Sequence, residues 1–108
     1  MSVLQTAADR RAFGRRPTHL HAIVYARGLR PIRCVVKDMS EGGARFELSE
    51  SFRLPFTIRV VWEGSALEAV CEVRHQRDTT VGAMFIDGQG PKIVNTILGP
   101  VPKALAQS

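Results

Sequence analysis

The 108-residue sequence predicts an all-β domain: a six-stranded antiparallel β-barrel, preceded by a flexible N-terminal arm and followed by a short C-terminal helix. Three observations predict it. Apolar and polar residues alternate over six short stretches, the period of a strand with one buried face. Gly, Pro, Ser or Asp bound those stretches, and these are residues that turn a chain. An open antiparallel sheet of six strands would leave two unpaired edges, and closing it into a barrel removes both. The length is too small for a doubly wound enzyme or a barrel of alternating strands and helices, while 44% hydrophobic residues suffice for one core.

Residues 1–17 form a polar, Arg-rich arm without periodicity. The barrel and its helix follow over residues 18–98. In the first strand Leu20, Ala22, Val24 and Ala26 share a face, and in the second Ile32, Cys34 and Val36 do so opposite Arg33 and Lys37, the two joined around Gly28. The third alternates Ala44, Phe46 and Leu48 with Arg45 and Glu47. The fourth sets Phe56, Ile58, Val60 and Trp62 inward against Thr57 and Arg59. After the Glu63-Gly64-Ser65 turn, Leu67, Ala69, Cys71 and Val73 line a fifth strand, and a sixth spans Val81 to Ile86. Beyond Asp87-Gly88-Gln89-Gly90 the spacing of Ile93, Val94, Ile97 and Leu98 becomes helical, with Pro91 suited to a first turn and Gly99 to a stop. Residues 99–108 are expected to be a loose tail.

The chain carries +5 and a pI near 10.0, with twelve of its fifteen basic residues Arg. Between Asp9 and Asp38 stand eight basic residues and no acid, so taking that segment's +8 from the total leaves −3 for the rest. Guanidinium presents a planar fork that pairs bidentately with phosphate, so a local Arg excess suggests a phosphate-bearing partner more than general solubility. Cys34 and Cys71 stand apart in apolar runs and are expected to be reduced core thiols. The first residues lack the apolar stretch of a signal peptide, and no run approaches the ~20 apolar residues of a membrane helix, so a cytoplasmic protein without a membrane span is expected. His19, His21 and His75 do not complete a metal-binding spacing, and Trp62 falls on an apolar face, where it reads as core.

Two segments carry candidate chemistry. Arg11-Ala12-Phe13-Gly14-Arg15 sets two guanidinium groups four residues apart on the arm. The turn Asp38-Met39-Ser40-Glu41-Gly42-Gly43 offers a carboxylate, a hydroxyl and two glycines that can take positive φ and admit a ligand to backbone N–H groups. The plainer reading of that turn is a hairpin capped by Asp38. No nucleophile stands with a paired base, which points away from an enzyme and away from any cofactor.

With these residues in hand, the sequence resembles the PilZ domain family, whose pattern is RxxxR on an N-terminal arm followed by D/N-x-S-x-x-G at the start of a barrel strand. Arg11 and Arg15 match the first motif, Asp38, Ser40 and Gly43 the second, and Gly82-Ala83-Met84-Phe85 is similar to the family's last-strand G-x-x-F segment. Among twelve arginines RxxxR alone means little, whereas the second motif is sharper. The resemblance implies a receptor for cyclic di-GMP. Arg11 and Arg15 would pair with phosphates and guanine edges or stack on the bases, Asp38 would accept from guanine N–H groups, Ser40 would add a hydroxyl, and Gly43 would keep the strand start clear. Arg10, Arg16 and Gly42 are further candidate contacts, and Arg16-Pro17 departs from the family's more usual apolar residue. The expected protein is a monomer that orders its arm on binding and signals to an unidentified effector protein. The alternatives are a ligand-independent adaptor of the same fold and, less favoured for want of stacking aromatics, a nucleic-acid-binding module.

Overall fold

The computed structural model describes residues 14–99. Six strands, β1 (Arg16–Tyr25), β2 (Ile32–Met39), β3 (Gly43–Leu48), β4 (Thr57–Trp62), β5 (Glu68–Arg77) and β6 (Thr80–Phe85), precede one helix, α1 (Gly90–Leu98). All neighbours are antiparallel, and the ring runs β1-β2-β3-β6-β5-β4 and closes through pairs such as Ala22↔Trp62 and Val24↔Val60. The predicted six-stranded barrel with its C-terminal helix is therefore the fold. β1 begins at Arg16, opposite Met39, so Arg16 and Pro17 belong to the barrel rather than to the arm. Residues 1–13 of that arm and 100–108 of the tail lie outside the described residues.

The inward faces are those the alternation selects. Ala22, Val24, Ile32, Cys34, Val36, Phe46, Val60 and Trp62 are all buried, and among the described residues no polar or charged residue is. Ile93 and Val94 of α1 pack onto this core, with Ile97 and Leu98 partly buried beside them. Pro91 sits in the helix's first turn, where its missing N–H has no partner to lose. At the other end of α1, Arg16 donates to the carbonyls of Leu98 (3.2 Å) and Gly99 (2.8 Å), satisfying acceptors the last turn leaves open. Burial pushes the thiols of Cys34 and Cys71 up to about 12, with Glu63 and Asp87 adding repulsion, so both are core groups as expected.

Phe56 departs from the predicted pattern. The period places it inside, yet it is 65% exposed and the strand starts one residue later. Pro55 supplies no N–H for the ladder, and Leu54 turns inward instead. That loop is held by the Gln76 side chain, which accepts from Leu54 N–H (3.0 Å) and donates to Phe52 C=O.

Candidate functional site

The interior is wholly apolar, so polar chemistry has to collect on the outer wall. Strict alternation along β2 from Ile32, Cys34 and Val36 would turn Asp38 into the core. A β-bulge prevents this: Val36 pairs with Phe46 and Asp38 with Arg45, leaving Lys37 as the inserted residue. The phase shifts by one, Met39 becomes fully buried, and the Asp38 carboxylate moves to the outer face beside its cross-strand partner.

Asp38 is 15% exposed and held by two arginines. Arg45 Nε donates to Oδ2 at 2.8 Å. Oδ1 lies 3.0 Å from Arg15 Nη2, but the guanidinium is out of line, and this buried oxygen accepts no hydrogen bond among the described residues. Both guanidinium groups remain about half exposed, at 45% for Arg15 and 49% for Arg45. One carboxylate oxygen is thus fixed. The other is an unsatisfied acceptor under a side chain free to swing outward.

In the adjoining turn, Ser40 rather than Asp38 is the cap, its Oγ accepting from Gly42 N–H at 3.2 Å. Ser40 N–H in turn donates to Gly43 C=O at 2.9 Å. Neither Gly42 nor Gly43 takes the positive φ open to glycine, which among the described residues occurs at Gly28, Gly64, Asp78, Gly88 and Gly99. Gly43 is required by close approach: a Cβ there would lie 2.2 Å from the carbonyl oxygen of Ala83 on β6. Gly42 has no such constraint, its nearest neighbour being Ser40 Oγ at 3.8 Å.

Beside Asp38 and Arg45, which do not themselves line it, an open cleft of about 790 Å³ lies on the outside of β3, β6 and β5. Arg15, Ser40, Gly42 and Gly43 form one side, and Arg74, His75 and Met84 the other. Its size falls within the range of small-molecule sites. A second bulge, between Val73 and His75, makes Arg74 the extra residue of β5 and exposes it beside the cleft, where it also pairs with Glu72 at 2.7 Å. His75 packs across Gly82, where a Cβ would meet the imidazole at 2.4 Å. The motif reading missed Arg45, Arg74 and His75. Alternation does mark Arg45 as outward-facing, but only the β3-β6-β5 register brings Arg74 and His75 to the same place.

Of the residues singled out from the sequence, Arg15, Asp38, Ser40, Gly42 and Gly43 come together here. Arg16, one residue from Arg15, turns instead to the end of α1. Arg10 and Arg11 lie outside the described residues. His19 and His21 stand edge to face at 5.7 Å on β1, with β4 separating that strand from β5 and His75. Among the described residues no cluster of three metal-ligating side chains occurs, and no helix is long and apolar enough to cross a membrane.

Among curated proteins, none matches this chain. The family model of the PilZ domain does, over residues 9–97, which takes in the end of the arm, all six strands and most of α1. The match covers both motifs and the residues that line the cleft, and PilZ domains are binding domains of the cyclic di-GMP receptor class. By its barrel and by this match, the chain belongs to the PilZ domain family.

Proposed function

We propose that this protein is a receptor for cyclic di-GMP, held by Arg11 and Arg15 of the arm and by the Asp38, Ser40 and Gly43 turn, and that the bound form is read by a separate effector protein. The observation that carries this is Asp38, with Oδ2 tied to Arg45 and Oδ1 buried without a hydrogen bond beneath Arg15. A dinucleotide supplies what each group lacks. Its phosphate takes the Arg15 guanidinium outward, and a guanine edge presents N–H donors to the oxygen so uncovered. A receptor built this way exchanges one partner set for another, so the free state keeps no fully exposed carboxylate. Arg74 on the far side of the cleft adds positive charge that suits the second phosphate. The role proposed for these residues is ligand holding.

The test is calorimetric titration of cyclic di-GMP into the wild type, Arg15→Ala and Asp38→Ala, with cyclic GMP as control. A charge-assisted hydrogen bond contributes about 2 kcal/mol, so each substitution is expected to weaken binding roughly thirtyfold. Absence of saturable heat with the wild type up to high micromolar ligand would overturn the reading in favour of a ligand-independent adaptor. Affinity for single-stranded RNA that falls steeply with salt would favour the nucleic-acid reading.

A further inference from the structure

A second concavity lies apart from the ligand cleft and shares no lining residue with it. It encloses about 530 Å³ between the end of β1, the loop before β4 and the outer face of β4 and β5. Tyr25 and Arg27 form one wall, Phe56 and Thr57 another, and Arg59 and Val70 the floor. The Arg59 guanidinium stacks over the Tyr25 ring at 4.7 Å and reaches Glu68 at 2.8 Å, which holds both side chains in place.

Two features distinguish this surface from an ordinary stretch of barrel wall. First, two of the three exposed large hydrophobics of the described residues lie on this side, Phe56 at 65% and Ile86 at 46%, while Met84 belongs to the cleft. Ile86 bonds through its N–H to Val70 C=O, so its apolar surface extends that of the groove floor across β5. An apolar patch of this kind, holding an exposed Phe and a fixed Tyr and Arg pair, has the composition of an interface core. Second, the lining is basic: Arg27 and Arg59 stand in it without an acid, while Glu68 and Asp87 border it at Arg59 and Val70. The β1-β2 hairpin that supplies Arg27 also carries exposed Arg30 and Arg33, with no acid anywhere between Arg10 and Lys37.

We propose that the groove between Tyr25, Arg27, Phe56 and Arg59 docks an acidic segment of a partner protein, seating one aromatic or branched aliphatic side chain while flanking carboxylates pair with Arg27 and Arg59. Charge selects this occupant. A second copy of the chain carries +5 and, in a two-fold pairing of this face with itself, would set arginine against arginine. A bilayer offers a flat surface, whereas the site is concave and sized for an inserted side chain. The inference is independent of the ligand reading, because the groove residues and the cleft residues do not overlap.

Selection of random displayed peptides against the intact protein tests it. Enriched sequences are expected to place a Phe, Trp, Leu or Ile among Asp and Glu, and to shift the backbone resonances of Tyr25, Thr57 and Val70. Arg27→Glu and Phe56→Ser are each expected to weaken the best peptide by about tenfold or more. Both positions are exposed, and an unchanged melting temperature confirms that each variant is folded. Failure to enrich any sequence, enrichment of neutral or basic peptides, or affinity indifferent to both substitutions would overturn the proposal. So would binding to phosphatidylserine vesicles that Phe56→Ser abolishes, which would assign the face to a membrane. A concentration-dependent dimer in sedimentation that Phe56→Ser dissociates would assign it to a second copy.

Discussion

Two neighbouring glycines in the 38–43 turn are expected to respond to the same substitution in opposite ways. At Gly43 an alanine Cβ would sit 2.2 Å from Ala83 C=O, against the ~3.3 Å or more at which carbon and carbonyl oxygen normally meet. The obstructing atom is backbone in the β3-β6 ladder, so no side-chain rotation relieves the overlap and the two strands must part by about 1 Å. Moving β3 also disturbs the bond from Ser40 N–H to Gly43 C=O and that from Phe85 N–H to Gly42 C=O. Overpacking against a rigid neighbour costs about 2–3 kcal/mol, which for a domain of this size lowers the melting temperature by roughly 10–15 °C. At Gly42 the nearest atom is 3.8 Å away and φ is not positive, so alanine fits, and stability stays within about 0.5 kcal/mol or rises slightly through the unfolded chain. Thermal and urea unfolding of Gly42→Ala and Gly43→Ala measure the contrast. A Gly43→Ala protein melting within about 2 °C of wild type, or a Gly42→Ala protein losing as much, would refute the close-approach argument.

Three further outcomes follow from the same geometry. Arg45→Ala removes the donor that fixes Asp38 Oδ2, and is expected to weaken cyclic di-GMP about tenfold in calorimetry while changing stability by under ~1 kcal/mol, since the Arg45 side chain is half exposed; unchanged affinity would mean that Asp38 needs no orienting partner. Arg16→Ala uncaps the carbonyls of Leu98 and Gly99, so amide exchange at Leu98 and Gly99 is expected to accelerate about fivefold, for a loss near 1 kcal/mol, with the β2 amides unaffected. The carboxyl of Glu47 is held below its usual 4.5 chiefly by hydrogen bonds from Thr80 and Thr79. A carboxyl lowered on folding contributes stability that is present above the unfolded value and is lost as pH falls through the folded one. The stability of the wild type should therefore exceed that of Glu47→Gln above pH 4.5 and converge with it in more acid solution, whereas a constant offset in urea titrations at every pH would show that the ionised form is not favoured.

What could be read from the sequence was the part that local periodicity encodes. Trp62, Phe46 and Val24 sit inside because each falls on the apolar phase of its strand, and Gly28 takes the positive φ its hairpin needs. Asp38, Ser40 and Gly43 could be picked out because their spacing is compact. The bulge at Lys37 could not, since the apolar alternation of Ile32, Cys34 and Val36 contains nothing that signals an added residue. Phe56 misled for a related reason: period two extends back to it, and only the missing donor of Pro55 and the inward seat of Leu54 show that the ladder starts at Thr57. Arg45, Arg74 and His75 were invisible as a group because their proximity comes from the pairing of β3, β6 and β5, which no local pattern specifies.

The two bulges explain how a wholly apolar barrel presents a polar site at all. A strand with one buried face commits every second residue to the core, so a catalytic or binding side chain at an inward phase would either lose its solvation or break the packing. The inserted Lys37 in β2 shifts Asp38 out and Met39 in, and the inserted Arg74 in β5 brings two consecutive polar residues, Arg74 and His75, to the outside. The bulges stand on opposite sides of the β3-β6 pair, and that pair is where the missing side chains of Gly43 and Gly82 let backbone and imidazole come close. The cleft is therefore bounded by two local breaks in alternation and floored by two absent side chains. The inward positions of the same strands keep the packing that stabilises the barrel, so residues at the cleft can vary in charge without altering the core beneath.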